Sequence, residues 1–265
     1  MKRIHFILFI AFAGLAACQK EIRYNAAFEP ISPNSMFIKF VHAYPYATPS
    51  YSATPNGPTL QLSYNNGQLS ATPIALGVTY PAGPDYARVQ DLSALDLNIR
   101  MSTGIPPAAV RDSALFTFNL PFNAGKYYSL FFMDSLANPA RRMLVVEDDI
   151  RLPGGPNLYR VRFANLLANM PAGTPTLELF SRRAGAVIFT NIPSRGVTPF
   201  IELPTQGTTG TVADTFQIRY TGSTTALATL NNVGIQTQSS ITVTAVGRVG
   251  STGTLGPRVL SHRNR

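Results

Sequence analysis

The chain is poor in the residues that build reactive sites. Among 265 residues there is one cysteine, Cys18, so no intrachain disulfide can form and the fold must rest on burial. There are three histidines, and only His42 and His262 lie beyond the apolar N-terminus. Zinc needs clustered Cys or His, and a Ser-His-Asp triad needs a base held by a carboxylate; no acid lies near His42 in sequence, and no Gly-x-Ser-x-Gly elbow occurs. Acids are scarce too, 13 against 22 Lys and Arg, and none follows Asp214, whereas Arg219, Arg248, Arg258, Arg263 and Arg265 do. Nucleic-acid binding would want those arginines clustered with aromatics. A solvated basic face is expected instead, with attraction to an anionic envelope polymer as the second reading. Beyond residue 17 no stretch is long and apolar enough to span a bilayer as a helix.

What is present begins with an address. Lys2 and Arg3 precede the short apolar run Ile4–Phe12, the pattern of a secretory signal covering residues 1–17. Its removal takes two positive charges from the formal +9, leaving +7.

The end of this signal, Leu15-Ala16-Ala17-Cys18, resembles the bacterial lipobox. That resemblance implies cleavage before Cys18 and acylation of its thiol, with residues 18–33 as a tether. One acyl chain holds a protein marginally, at about 0.8 kcal/mol per buried CH₂, whereas two or three anchor it stably. Gln19-Lys20-Glu21 is similar to the export signal of surface lipoproteins in Bacteroidetes-type bacteria, and position 19 is not the Asp of inner-membrane retention. The expected location is the outer membrane, lipid-anchored at the cell surface, with its periplasmic face as the alternative.

The remainder repeats itself. Ile38-Lys39-Phe40-Val41-His42 aligns with Val161-Arg162-Phe163-Ala164-Asn165, and Thr59-Leu60-Gln61-Leu62 with Thr176-Leu177-Glu178-Leu179. Gly77-Val78-Thr79 recurs at 196–198, Leu97-Asn98-Ile99-Arg100 at 216–219, and Arg142-Met143-Leu144 at 258–260. The order is constant and the offsets run from 116 to 123, far longer than a solenoid period. Two tandem units are therefore expected, at 34–150 and 158–265, with the Gly- and Pro-rich segment 151–157 as the linker between them. Within each copy apolar residues alternate: Leu95, Leu97 and Ile99 against Asp96, Asn98 and Arg100, then Phe216, Ile218 and Tyr220 against Gln217 and Arg219. That period of two, with 20 glycines and 21 prolines for turns, predicts an all-β protein of two tandem antiparallel, immunoglobulin-like β-sandwiches, roughly seven strands each.

The run I-K-F-V-H-A-Y-P, then T-L-Q-L-S-Y-N-N-G and A-G-K-Y-Y-S-L-F-F, resembles the "domain of unknown function 4397" family, clearly over 34–150 and loosely over 156–262. The family commonly occurs on bacterial lipoproteins. The resemblance implies an exterior β-sandwich and carries no catalytic residues.

Candidate sites are few. His42 aligns with Asn165, and both side chains can fix a loop by a short hydrogen bond. His262 lies in a polar tail expected to be mobile. Glu147-Asp148-Asp149 lacks calcium-loop spacing and reads as a charged strand end guarding an edge. The 43–58 loop of copy one is six residues longer than its counterpart and carries Tyr44, Tyr46 and Tyr51 between prolines. Rigid tyrosines suit sugar rings or a protein partner; the favoured reading is that they cap the open end of the sandwich.

The expectation is a non-enzymatic envelope lipoprotein that binds or builds, with no cofactor, no metal and no nucleic-acid partner. Its partners are the membrane, through the anchor, and an envelope glycan or another protein. The alternatives are a glycan hydrolase with its site in a sandwich cleft and an architectural spacer subunit.

Overall fold

The computed structural model describes residues 35–45, 59–64, 67–89, 94–103, 114–133, 143–170, 176–205 and 211–265. Cys18, Tyr46 and Tyr51 lie outside these. The described secondary structure is β throughout apart from one 3₁₀ turn. The first half holds β1 (Met36–Ala43), β2 (Thr59–Tyr64), β3 (Gly67–Gln68), β4 (Thr79–Tyr80), β5 (Ala87–Val89), β6 (Ala94–Thr103), β7 (Ala114–Pro121), β8 (Tyr127–Met133) and β9 (Met143–Glu147). The second holds β10 (Leu158–Asn165), β11 (Leu177–Ser181), β12 (Ala186–Ile192), β13 (Ile201–Pro204), β14 (Thr211–Tyr220), β15 (Ala226–Gln236), β16 (Ser240–Val246) and β17 (Arg258–Arg263).

The described strands pair only within their own half. The first half forms the sheets β3-β2-β6-β7 and β4-β1-β8-β9, with β5 also on β1; the second forms β12-β11-β14-β15 and β13-β10-β16-β17. The two topologies correspond, except that β4 and β5 both pair with one edge of β1 where β13 alone pairs with that edge of β10. Each departs from the antiparallel expectation at one place: β1 runs parallel to β8, and β10 parallel to β16. Between those partners the chain crosses to the other sheet and returns, which brings the later strand in with the direction of the first.

Alternation assigns each side chain to a layer. Ile38 and Phe40 of β1 and Leu130 and Phe132 of β8 pack with Leu62, Leu97 and Ile99 of the facing sheet. In the second half Val161, Phe163, Ile241 and Val243 meet Leu177, Leu179, Phe216 and Ile218 in the same way. The intervening positions Val41, Ala43, Phe131 and Met133 pack against Ala164, Leu166 and Val246 of the other half. The sheets containing β1 and β10 are therefore covered on both faces, and the described sheets stack in four layers. Pro33–Arg265 accordingly forms one compact unit.

Segment 151–157 is tied down in this arrangement. The Arg160 guanidinium donates to the carbonyls of Asp149 (2.8 Å) and Arg151 (2.9 Å), and Gly154 N–H donates to Glu202 Oε1 at 3.0 Å. Gly77 of the first half approaches β17 so closely that a Cβ there would meet Leu260 Cδ1 at 2.6 Å; its φ of +86° also favours glycine.

Candidate functional site: a polar seam under an aromatic cleft

At one end of the interface between halves, apolar contacts give way to a closed polar network. Arg162, on β10, is 2% exposed, and its Nη1 lies 2.6 Å from Asp148 Oδ1, whose side chain is fully buried. Its Nη2 donates to Ser129 Oγ and its Nε to Thr242 Oγ1, both at 2.8 Å. Ser129 and Tyr86 hydroxyls each donate to Asp148 Oδ2 at 2.6 Å. Asn264 closes the ring: its Oδ1 accepts from Thr242 at 2.6 Å and its Nδ2 donates to Tyr86 at 3.0 Å. Each of the three hydroxyls thus gives one hydrogen bond and takes one. A buried charge persists only when paired and hydrogen-bonded in this way.

Lys39, the counterpart of Arg162 in the first half, is likewise buried. Its Nζ donates to the carbonyls of Gly83 (2.7 Å) and Asp85 (2.6 Å) and lies 4.9 Å from the centre of the Tyr86 ring. Burial lowers its pKa to about 8, against the opposing pull of Asp148. Burial, then the Asp148 charge, push the Tyr86 hydroxyl far above its ordinary range. His262 is held well below 6.5, first by burial and then by Arg162 and Lys39, so its imidazole is neutral.

Above the network opens a cleft of about 650 Å³ lined by Phe37, Pro84, Asp85, Tyr86, Tyr127, Ile150, Asn264 and Arg265. Phe37 and Tyr127 are cross-strand partners on β1 and β8, stacked at 4.5 Å with 11° between their planes. Tyr86 stands edge-on to Tyr127, 5.1 Å away at 86°. All three rings are half-buried, whereas Asp85 and Arg265 are exposed. Arg265 Nη1 donates to Ile150 O at 3.0 Å. Tyr86 links the two levels, since its ring lines the cleft and its hydroxyl is fixed in the network below.

Several sequence readings change here. The acidic triplet is split: Asp148 joins the buried network, whereas Glu147, at the end of the edge strand β9, and Asp149 stay exposed, Glu147 with Lys126 at 2.8 Å and Asp149 Oδ2 with Arg160 at 2.6 Å. His262 is no mobile tail residue, because β17 pairs along its length with β16 and buries it. Tyr44 is 1% exposed and packs 5.0 Å from Phe132 in the first core. His42 and Asn165 do fix loops, His42 Nδ1 accepting from Tyr44 N–H and Asn165 Oδ1 from Leu167 N–H, both at 3.3 Å.

The residues missed were Phe37, Tyr86 and Tyr127. The available signal was that β1 and β8 carry apolar residues on both faces, MFIKFV and YYSLFFM, which marks strands covered twice. Among the described residues no three His, Cys, Asp or Glu side chains gather as metal ligands would. No described helix is long and apolar enough to cross a membrane. No family model matches the chain, and no curated protein matches it.

Proposed function

We propose that this is a non-enzymatic envelope lipoprotein, tethered to the outer membrane through acylated Cys18 and displayed at the cell surface, whose sandwich body binds a ligand. The observation that carries the binding half of this reading is the seam cleft. Three half-buried aromatic rings sit beside an exposed acid and an exposed base; Phe37 and Tyr127 are held on β1 and β8, and Tyr86, just before β5, is held by the hydrogen bonds of its hydroxyl. Of the carboxylates described around it, Asp85 alone lines the cleft, while Asp148 beneath is committed to Arg162, Ser129 and Tyr86. Paired glycosidase carboxylates would need a second free acid across the cleft, so the arrangement favours binding over hydrolysis.

The anchoring half rests on residues 2–18 and on the likeness to surface lipoproteins. The "domain of unknown function 4397" resemblance of 34–150 belongs to the same proposal. Cys18→Ala should release the protein from membranes and abolish metabolic labelling with a fatty-acid analogue. A Cys18→Ala chain that still sediments with membranes and takes label would refute the anchor.

A further inference from the structure

We propose that the seam cleft takes a neutral oligosaccharide segment, a proposal that rests on the binding reading above. The two ring walls meet at a right angle: the stacked Phe37–Tyr127 pair forms one, and Tyr86, 86° from Tyr127, forms the other. A pyranose ring presents a flat C–H face and an equatorial rim of hydroxyls. Aromatic surface accepts the first, and polar groups at its margin accept the second. Asp85 and Arg265 stand at that margin, exposed, one able to accept two hydroxyl hydrogens and the other carrying guanidinium donors beyond the one given to Ile150.

Charge selects among polymers. The exposed lining has one negative and one positive side chain, Asp85 and Arg265. The cations underneath are withdrawn: Lys39 is spent on two carbonyls, and Arg162 is neutralised by Asp148. A polyanion would meet no free cluster of positive charge, whereas a polyol meets one acceptor and one donor. The site is also organised in advance. Asp85 is positioned by the Lys39 bond to its carbonyl, and Tyr86 by Asp148 and Asn264, so little ordering cost falls on binding. With Pro84, Asp85 and Arg265 exposed, the cleft admits a stretch of a longer chain. A volume near 650 Å³ falls within the ordinary range for ligand sites.

The test uses the full chain in detergent and a panel of trisaccharides: cellotriose, maltotriose, mannotriose and chitotriose, with trigalacturonate as the acidic comparator. Calorimetry is the main readout; the chain has no tryptophan but eleven tyrosines, so the emission change is assigned to the cleft by its loss in Tyr127→Leu. Saturable binding of a neutral member with Kd of about 1 mM or tighter is expected. Asp85→Asn should weaken it at least about fivefold with an unchanged unfolding midpoint, because Asp85 is exposed and its carbonyl bond to Lys39 survives. No binding by any neutral member, preference for trigalacturonate, or binding indifferent to both Asp85→Asn and Tyr127→Leu would each overturn the saccharide proposal. If no trisaccharide binds but envelope protein is still captured through Tyr127, the ligand class is wrong while the binding reading stands.

Discussion

Arg162 of the second half and Asp148 of the first form an ion pair of 2.6 Å with neither side chain in solvent. Removing one charge from such a pair typically costs about 3–5 kcal/mol, because the other is stranded in low dielectric. Asp148→Asn keeps the shape of the acceptor for Ser129 and Tyr86 but abandons Arg162. Urea unfolding should therefore show a loss of that size. Adding Arg162→Met should restore part of it, at least about 1 kcal/mol, since no cation remains to be stranded. A double variant no more stable than Asp148→Asn would mean that the charge is not the source of the cost.

Protonation at the same seam gives stability two pH windows. His262 has its folded pKa well below 6.5, so below 6.5 the unfolded chain binds the proton the folded one refuses. Stability therefore falls with acid, by up to about 1.4 kcal/mol per pH unit from this group. Lys39 is lowered from 10.5 to about 8, so between these values the unfolded chain again binds more protons and stability rises with pH. Tyr86 and Tyr159 are raised above 10.0, which reverses the trend beyond pH 10. Unfolding free energies from pH 5 to 9.5 should lose the acid limb in His262→Gln and the alkaline rise in Lys39→Met. Variants that keep their limb would remove these residues from the account.

His42 and Asn165 make the same bond to the backbone N–H two residues on, at the same 3.3 Å. Asparagine should therefore substitute for His42, whereas alanine leaves a buried N–H without its acceptor. The gap between His42→Asn and His42→Ala should be about 1–3 kcal/mol by chemical denaturation. Equal stabilities would assign His42 a purely packing role.

Tyr44 sits in the first core against Phe132. Tyr44→Ala should cost about 3–5 kcal/mol, the range for truncating a buried aromatic ring. An effect below about 0.5 kcal/mol, typical of surface sites, would place the ring outside the core.

Much of this architecture was legible from alternation and duplication. The aligned segments 38–42 and 161–165 fall on β1 and β10, and 97–100 and 216–219 on β6 and β14, with matching neighbours in each sheet. The layering of one half on the other was not, because period-two patterns place a residue on a face without naming what covers it. Nothing in the sequence marks Lys39 and Arg162 as buried, yet they lie in the seam, where Asp148 and backbone carbonyls satisfy them. Asp148 was hidden for the same reason, its partner lying 14 positions away across the interface. The cleft was less visible still, since Phe37, Tyr86 and Tyr127 meet only after three separate segments converge.

The central claim is that the protein binds envelope material at the seam cleft. Its most direct test is retention of the full chain on isolated envelope polysaccharide, comparing Asp85→Asn/Tyr127→Leu with Tyr46→Ala/Tyr51→Ala. The account predicts that the cleft variant loses at least about tenfold in affinity, worth ~1.4 kcal/mol, while the loop variant binds as the parent does. Undiminished retention by a folded cleft variant, with loss in the loop variant, would contradict it.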